Sequence, residues 1–435
     1  MFKYLHQIWQ SSTLRKKILF TLFLLVVFRI AAHITVPGVN AAALQNIFQQ
    51  NDLLGVFSAL TGGSMENFSI VLMGLSPYIN ASIIIQLMTV VIPKLEALSK
   101  EGMEGRKKLN QYTRLLSVPF AFFQSYGMII LLNQGASGGA LPLIDNVSDP
   151  FTILPIMAIV TAGTVFLMWM GELITEKGIG NGTSLLIFAS IISGMPTIFG
   201  RMLGIAQGGD STKLVHFLLF VAFTVITLVF VVLVTEAQRN IPITYANRAG
   251  GAGGEKASLP IRVNQAGMIP IIFAISMMTF PSVVAQFFQV SNSTTLQSIA
   301  AFIQKYFSTV DPGYFYMIFY FLLIIAFSYF YVSITFQPDQ IAENIQKRGG
   351  FIPGVRPGTQ TADFLSKVSA HLNLFGGVFL GLVALMPILF TKYTTLSSGD
   401  LIISGSGLII VVGVVLELIR QIDAQLVMHD YDKLY

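Results

Sequence analysis

The side chains that most often carry out chemistry in proteins are scarce in this sequence, and those present are scattered. The 435 residues include no cysteine, which excludes disulfides, thiolate metal sites and thiol nucleophiles together. No two of the five histidines stand at the short spacing that a metal site would need, so we predict no metal site. The histidines are His6, His33, His216, His371 and His429.

Motifs for catalysis are also missing. The glycine-rich run at 250–254 lacks the Gly-Lys-Ser/Thr ending of a phosphate-binding loop, and neither His-Glu-x-x-His nor Gly-x-Ser-x-Gly occurs. Four glutamates that could act as acids or bases fall at the predicted ends of apolar segments: Glu172, Glu176, Glu236 and Glu417. We therefore predict that the protein is not an enzyme and uses no cofactor. Energy for any transport must come from a partner or from the membrane potential.

The apolar residues are the informative ones. The chain is 54% hydrophobic and 11% charged, with a mean hydropathy of +0.71. Soluble domains carry about 25% charged residues, so this composition excludes a soluble protein. The apolar residues form continuous runs such as 18–36, which are too long and too unbroken for the alternating strands of a membrane barrel. The sequence predicts an all-α polytopic membrane protein.

Ten segments are candidate membrane spans, and the basic residues divide between the two sides that these spans define. With the N-terminus on the first side, 21 of the 26 Lys and Arg lie on that side, four lie opposite and Arg29 lies inside the first span. Since cytoplasmic loops carry the excess of Lys and Arg, both termini are predicted to be cytoplasmic. The first span is interpreted as an uncleaved helix rather than a signal peptide. The spans are 16–36, 69–92, 114–133, 152–171, 182–201, 213–235, 266–289, 314–336, 370–391 and 401–420.

Two short patterns recur five spans apart. Residues 74–81 and 267–274 both read Gly-x-x-Pro-x-Ile-x-Ala, and residues 182–187 and 405–410 both read Gly-x-x-Leu-x-Ile. An odd offset turns the second half upside down relative to the first, which is the signature of an inverted-topology repeat. Coincidence among Gly- and Ile-rich helices is the alternative. Such a repeat places its site near mid-bilayer, where the halves meet.

The residues matched by the repeat are isoleucines: Ile79, Ile187, Ile272 and Ile410. In the first half each is followed four positions later by another isoleucine, on the same helix face. A solute transporter would place polar or charged groups there, whereas an aliphatic ring suits a hydrophobic constriction that seals against ions. Ordinary helix packing is the competing interpretation of these residues.

Several longer segments resemble the SecY family, the channel subunits of bacterial protein translocases, and the resemblance covers nearly the whole chain. The runs Gly-Ile-Gly-Asn-Gly-Thr-Ser and Pro-Gly-Val-Arg-Pro-Gly are the specific features. The similar segments are SPYINASIIIQL (76–87), KKLNQYTR (107–114), FLMWMGELITEKGIGNGTS (166–184), LPIRVNQAGMIP (259–270) and FIPGVRPGTQTADFL (351–365).

The resemblance implies ten transmembrane helices in a clamshell of two inverted five-helix halves around a central pore, residues 1–201 and 202–435. It implies an outer plug near 53–68, and a lateral gate between the second and third spans and the seventh and eighth. Gln86 and Asn264 are the candidate polar gate residues, and hydrogen bonds of ordinary helix packing are the alternative for both. The implied pore ring is Ile79, Ile83, Ile187, Ile191, Ile272 and Ile410. The implied plug residues are Leu53, Leu54, Val56, Phe57, Leu60 and Phe68.

The same resemblance implies partners for two cytoplasmic loops, 236–265 and 337–368. Arg356 would bind the SecA motor ATPase, and Arg248 would contact the ribosome, although the surrounding stretch 246–258 is unusually rich in glycine. Membrane subunits of the SecE and SecG types are expected partners, together with secretory and membrane-protein substrates and membrane lipid. The expected location is the bacterial plasma (inner) membrane.

The function implied is a protein-conducting channel that passes unfolded secretory proteins and releases signal or transmembrane helices sideways into lipid. An inverted-repeat secondary solute transporter is the alternative, and it predicts polar or charged groups at the waist. A membrane insertase or scaffold is a third reading, which would need neither a plug nor a sealed waist.

Overall fold

The computed structural model describes most of the chain. The described residues are 9, 11–40, 44, 64–65, 67–136, 143–144, 149–207, 211–245, 256–289, 293–307, 313–393 and 405–432.

Within these residues the chain is mainly helical, with three short strands. The helices are α1 (Ser12–Ala31), α2 (Ser76–Val91), α3 (Pro93–Lys100), α4 (Met103–Ala136), α5 (Pro150–Lys177), α6 (Gly182–Gln207), α7 (Ser211–Glu236), α8 (Ile269–Gln289), α9 (Thr294–Phe307), α10 (Tyr314–Thr335), α11 (Pro338–Lys347), α12 (Thr359–Tyr393) and α13 (Gly405–Asp432). The strands are β1 (Gln238–Tyr245), β2 (Lys256–Arg262) and β3 (Gly350–Phe351).

Each of the ten predicted spans coincides with one of these helices, but the boundaries differ. α4 and α12 are much longer than the apolar segments that they contain, while α1 is shorter and ends at Ala31. Arg29 therefore lies in the last turn of α1 rather than in the middle of a longer span. At this position the negative end of the helix dipole stabilises its positive charge.

Length and apolarity alone identify fewer spans than the ten predicted from the sequence. Among the described residues, four stretches are long and apolar enough to cross a membrane: Pro150–Lys177, Leu218–Glu236, Tyr314–Lys347 and Thr359–Phe390. Counting α2 and α3 as one broken span raises this number to five. Parts of α6 and α8 form shorter apolar helices, Gly182–Pro196 and Ile269–Pro281.

The axes of α2 and α3 meet at 102°. Ile92 separates them with extended dihedrals, φ −103° and ψ 111°, because a residue that precedes proline is disfavoured in the helical region. The bend ends the apolar span where Pro93 begins α3, whose side chains are largely exposed.

The loops 236–265 and 337–368 form a small antiparallel sheet, which the sequence analysis did not predict. The strand order is β2-β1-β3, with Ile241 opposite Leu259 and Thr244 opposite Phe351. Isoleucines at alternate positions of β1 point to one side, as the two-residue period of a strand requires. They pack with residues of α11 and α12 in a separate core of Ile241, Ile243, Ile261, Ile345, Ile352, Leu365 and Val368. The two loops are therefore one structural unit.

Candidate functional site

Five of the six isoleucines expected in a pore ring line one cavity of about 210 Å³. They come from four helices, with one each from α2, α8 and α13 and two from α6. The remaining lining includes Phe28 of α1 and Leu167 of α5, so residues from widely separated parts of the chain converge here. The five are Ile79, Ile187, Ile191, Ile272 and Ile410.

The cavity is aliphatic, with hydroxyl groups as its polar side chains. Ser76, Ser190, Ser276 and Thr279 are the polar residues of the lining, and no Asp, Glu, Lys or Arg is among its described residues. Such a surface offers no fixed binding group for a charged solute. It can exclude water and ions while its branched side chains adapt to cargo of variable sequence.

Ile83, the sixth expected ring residue, lies elsewhere. It is only 4% exposed and belongs to the large core that surrounds the cavity, without being among the residues that line it. One helical turn separates Ile83 from Ile79, and of these two isoleucines only Ile79 lines the cavity.

The glycines of the repeated pattern set the entry to two of the lining helices. Gly74 precedes α2 with φ +56°, and Gly267 precedes α8 with φ +64°. A side chain added at either position would meet nothing within 4 Å, so the left-handed backbone rather than space requires glycine there. The two turns thus share a backbone device as well as a sequence pattern.

The two expected gate residues have partners within their own segments. The Gln86 side-chain amide donates to Ser82 Oγ at 3.0 Å, one turn earlier in α2. Asn264 is buried, and its Oδ1 accepts a hydrogen bond from the Gly267 N–H at 3.0 Å, which stabilises the turn before α8. Neither of these bonds bridges α2 and α8. Phe120 of α4 and Phe280 of α8 form a ring pair across these two helices, with centroids 6.5 Å apart.

Of the expected plug residues, Leu53, Leu54, Val56, Phe57 and Leu60 lie outside the described residues. Phe68 is fully buried, and its carbonyl accepts a hydrogen bond from the Val36 N–H at 3.0 Å. Its φ of 43° is left-handed, an uncommon conformation for a bulky residue. It packs in a second core with Val36, Met65, Leu72, Ile129 and Val160.

Of the two arginines expected to bind partners, Arg248 lies outside the described residues. Arg356 is exposed at the tip of a turn, between Gly354 at φ +84° and Gly358 at φ +99°. The Thr361 hydroxyl donates to the Arg356 carbonyl at 2.9 Å, which leaves the guanidinium side chain outside this bond. The turn therefore presents a charged side chain on a fixed backbone.

A charged cluster that the sequence did not reveal lies where the ends of α7 and β2 meet the middle of α13. Arg420 forms an ion pair with Glu236 and also approaches the Thr235 carbonyl at 3.5 Å. Partial burial lowers the pKa of the Arg262 guanidinium, and Arg420 lowers it further, whereas Glu236 and Glu417 raise it. Arginine keeps its proton in proteins, so Arg262 remains a cation near neutral pH.

The loop at 178–182 also contributes contacts that sequence reasoning missed. The Ile179 N–H donates to Thr21 Oγ1 of α1 at 3.2 Å, and the Gly182 N–H donates to Thr175 Oγ1 of α5 at 2.8 Å. A side chain at Gly182 would lie 1.9 Å from the Gly171 carbonyl oxygen. The only sequence signal for this close packing is the density of glycine in the loop.

Known proteins are similar to this chain over nearly its whole length. A family model described as SecY matches residues 69–419. The chain is 41% identical to the protein translocase subunit SecY of Streptomyces scabiei, covering 98% of this chain and 97% of that protein. It is also 41% identical to the corresponding subunit of Bacillus subtilis (strain 168), covering 99% of each chain.

Solved structures with a similar fold are also channels. A protein-conducting channel matches with a TM-score of 0.63 and 17% identity, over 95% of this chain and 92% of that one. Sec61 in the canine ribosome–channel complex matches with a TM-score of 0.60 and 18% identity, over the same shares. At these identities the likeness shows the fold.

Proposed function

This chain belongs to the SecY family, and from that premise we propose how its waist, plug and gate pass a protein through the membrane. The protein is a protein-translocation channel of the membrane and not an enzyme. The single observation that carries the proposed mechanism is the convergence of five isoleucines from four helices on one uncharged cavity.

We propose that this cavity is the waist of the pore. An unfolded chain needs a polar route through the bilayer, because each unsatisfied backbone group in lipid costs several kcal/mol. Between substrates the same route must exclude ions, and an apolar constriction does so by shedding water. The uncharged lining also disfavours the solute-transporter alternative, which would bind its substrate through polar or charged groups.

We propose that the halves 1–201 and 202–435 are related by an inverted repeat, with ten spans in total. The matching left-handed glycines before α2 and α8 support this relation. The lateral gate would lie where α2 and α4 face α8 and α10, a surface at which Phe120 and Phe280 now touch. Gln86 and Asn264 would line it after exchanging their local hydrogen bonds, and segment 53–68 would close the outer mouth as a plug.

We propose that the sheet-forming loops face the cytoplasm of a bacterial cell, with both termini on that side of the plasma membrane. Arg356 would bind the SecA motor, and Arg248 would contact the ribosome. The likeness to Sec61 in a ribosome–channel complex and to an Ssh1 complex bound to the yeast 80S ribosome supports a ribosome partner. Subunits of the SecE and SecG types would complete the membrane complex.

Site-specific photocrosslinking tests the waist. A photoreactive residue replaces Ile191, which lines the cavity, or Ile192, which is 39% exposed on another side of α6. A secretory precursor is then stalled midway through the complex. We expect crosslinks to the mature part of the precursor from position 191, dependent on a functional signal sequence, and none from position 192. Equal crosslinking from both positions, or none from position 191 while the precursor is engaged, would contradict a pore at this cavity.

A further inference from the structure

The short helix α9 connects the regions of α8 and α10 and packs against both. Most of its polar residues occupy one arc of the helix, and most of its apolar residues occupy the opposite arc; the exceptions are Thr295, which is exposed beside Phe302, and Ala301, which lies among the polar residues. Its one charged residue, Lys305, lies in the polar arc. The polar arc comprises Thr294, Gln297, Ser298, Gln304 and Lys305, and the apolar arc comprises Leu296, Ile299, Ala300, Phe302, Ile303, Tyr306 and Phe307.

The apolar arc is wider than the protein surface that covers it. Ala300, on one flank of the arc, is fully buried against the protein. On the other flank Ile299 is 46% exposed and Phe302 is 62% exposed. α9 therefore has three surfaces: one against the protein, one polar, and one apolar surface that the described residues leave exposed.

Aromatic rings make the uncovered apolar flank continuous with α10. The ring centroids of Phe302 and Tyr306 are 4.7 Å apart, and those of Tyr306 and Phe315 are 5.3 Å apart. Phe315 stacks on Phe319 at 5.7 Å with an interplanar angle of 10°.

α10 itself presents an apolar outer face. Phe315, Ile318 and Leu322 are between 47% and 61% exposed, on a helix that is apolar enough to cross a membrane. In a membrane protein such a face meets lipid, so the exposed flank of α9 extends a lipid-facing surface beyond the end of the span.

Two basic residues mark the level of the headgroups at this end of the protein. The Lys392 ammonium lies 3.6 Å from the ring centroid of Tyr314, the first residue of α10. Tyrosine and lysine concentrate at the boundary between acyl chains and headgroups. Lys305 of α9 is exposed, and its position in the polar arc directs it away from the apolar flank.

We propose that α9 is an interfacial helix bound by bilayer lipid, with Ile299 and Phe302 among the upper acyl chains and the polar arc in water. An amphipathic helix with aromatic and aliphatic residues on one face lies in the plane of the interface in this way. The assignment of α9 to the outer leaflet rests on the orientation under the proposed function. The depth of α9 in the bilayer is independent of that orientation. Through α9 the membrane surface would hold the end of α8, a helix of the proposed gate.

Depth-dependent fluorescence quenching tests this proposal, and the lack of native cysteine allows one label at a time. The variants Ile299→Cys and Phe302→Cys carry a nitrobenzoxadiazole label on the apolar flank. Ser298→Cys and Lys305→Cys are matched controls in the polar arc of the same helix. The full channel complex is reconstituted without substrate in phosphatidylcholine vesicles, with or without lipids brominated near the top of the acyl chain, and aqueous iodide is titrated separately.

We expect the labels at 299 and 302 to be quenched by brominated lipid about two-fold more strongly than those at 298 and 305, with the order reversed for iodide. Equal access of iodide to all four labels would overturn the proposal by placing α9 in water. Protection of 299 and 302 from both quenchers would also overturn it, because a protein surface, such as a second copy, would then cover the flank. Since no substrate is present, the result does not depend on whether the isoleucine cavity is the pore.

Discussion

The backbone N–H of Gly180 donates a hydrogen bond of 2.7 Å to the side-chain Oε1 of Gln421, a residue 241 positions later in the chain. Gly180 has φ +83°, and a side chain added there would lie 2.9 Å from Leu418 Cδ2. The loop that precedes α6 therefore packs against α13 through one hydrogen bond and one close apolar contact. In the proposed two-half architecture these two contacts connect the halves.

Replacing Gln421 with Met removes the acceptor while keeping the length of the side chain. The Gly180 N–H then loses its side-chain partner in a part-buried site, which costs about 1–3 kcal/mol. We expect a lower thermal unfolding midpoint for the purified complex. Gln421→Glu keeps an acceptor oxygen and should lose less. Equal midpoints for Gln421→Met and the unmodified protein would show that the bond does not stabilise the fold.

Gly180→Ala tests the apolar part of the same contact. Gly354 has nearly the same dihedral, φ +84°, with nothing within 4 Å of an added side chain. Both substitutions incur the left-handed strain of about 1–2 kcal/mol, but only Gly180→Ala also crowds Leu418. We expect Gly180→Ala to lower the unfolding midpoint more than Gly354→Ala does. The opposite order would refute close packing at Gly180.

Asparagine at Ile187 and Ile410 tests the seal. A polar amide holds water in a cavity that is otherwise aliphatic, so we expect a larger resting ion conductance and a relaxed requirement for the signal sequence. The measurements are planar-bilayer current and translocation of a precursor with a defective signal. Ile192→Asn, on another side of α6, is the control. If the resting current of the cavity variants equals that of the unmodified protein and of the Ile192→Asn control, the result would count against the pore ring.

Charge reversal at Arg356 tests partner binding. The side chain is exposed on a turn whose backbone bonds do not use the guanidinium, so Arg356→Glu should leave the unfolding midpoint unchanged. We expect it to reduce SecA-driven translocation by at least about ten-fold, which corresponds to the loss of a charge-assisted contact of about 1.5 kcal/mol. Lys367→Glu, at an exposed position of the following helix α12, is the control. Equal activity of the two variants would remove Arg356 from the binding surface.

Gly163→Ala tests the contact between α5 and the turn that leads into α2. An added Cβ would lie 1.8 Å from the Ile70 carbonyl oxygen, which is backbone and cannot rotate away. We expect a loss of several kcal/mol, or failure to assemble, measured as yield and unfolding midpoint. Gly200→Ala, also in a helix, meets nothing within 4 Å and should gain up to about 1 kcal/mol from helix propensity. Similar behaviour of the two variants would contradict this contact.

The sequence predicted the positions of the helices because an unbroken apolar run has few alternatives to a helix in a membrane. It missed the sheet, although Ile241 and Ile243 alternate with polar or exposed neighbours. Pro242 lies between them and argues against a strand in mid-sheet. The structure accommodates it because β3 pairs only with Thr244 and Tyr245, which leaves one edge of β1 unpaired beside Pro242.

The candidate site was only partly predictable. The repeat selected Ile79, Ile187, Ile272 and Ile410, and the structure places all four at one cavity. The resemblance added Ile83 and Ile191, each four positions after a residue that the repeat selected; Ile191 lines the cavity, whereas Ile83 lies in the surrounding core. Contacts such as Gly180 with Gln421 depend on tertiary approach, for which glycine density is the only sequence trace.

The small sheet has a mechanical consequence. β1 follows α7 almost directly, the Val263 N–H extends its ladder by donating to the Ala237 carbonyl at 3.0 Å, and β3 leads through buried Ile352 to the turn that carries Arg356. Main-chain hydrogen bonds thus connect the Arg356 turn, the sheet and the segment that leads into α8. A partner that displaces the Arg356 turn would therefore also displace the beginning of α8. Force applied outside the membrane would in this way reach the isoleucine cavity.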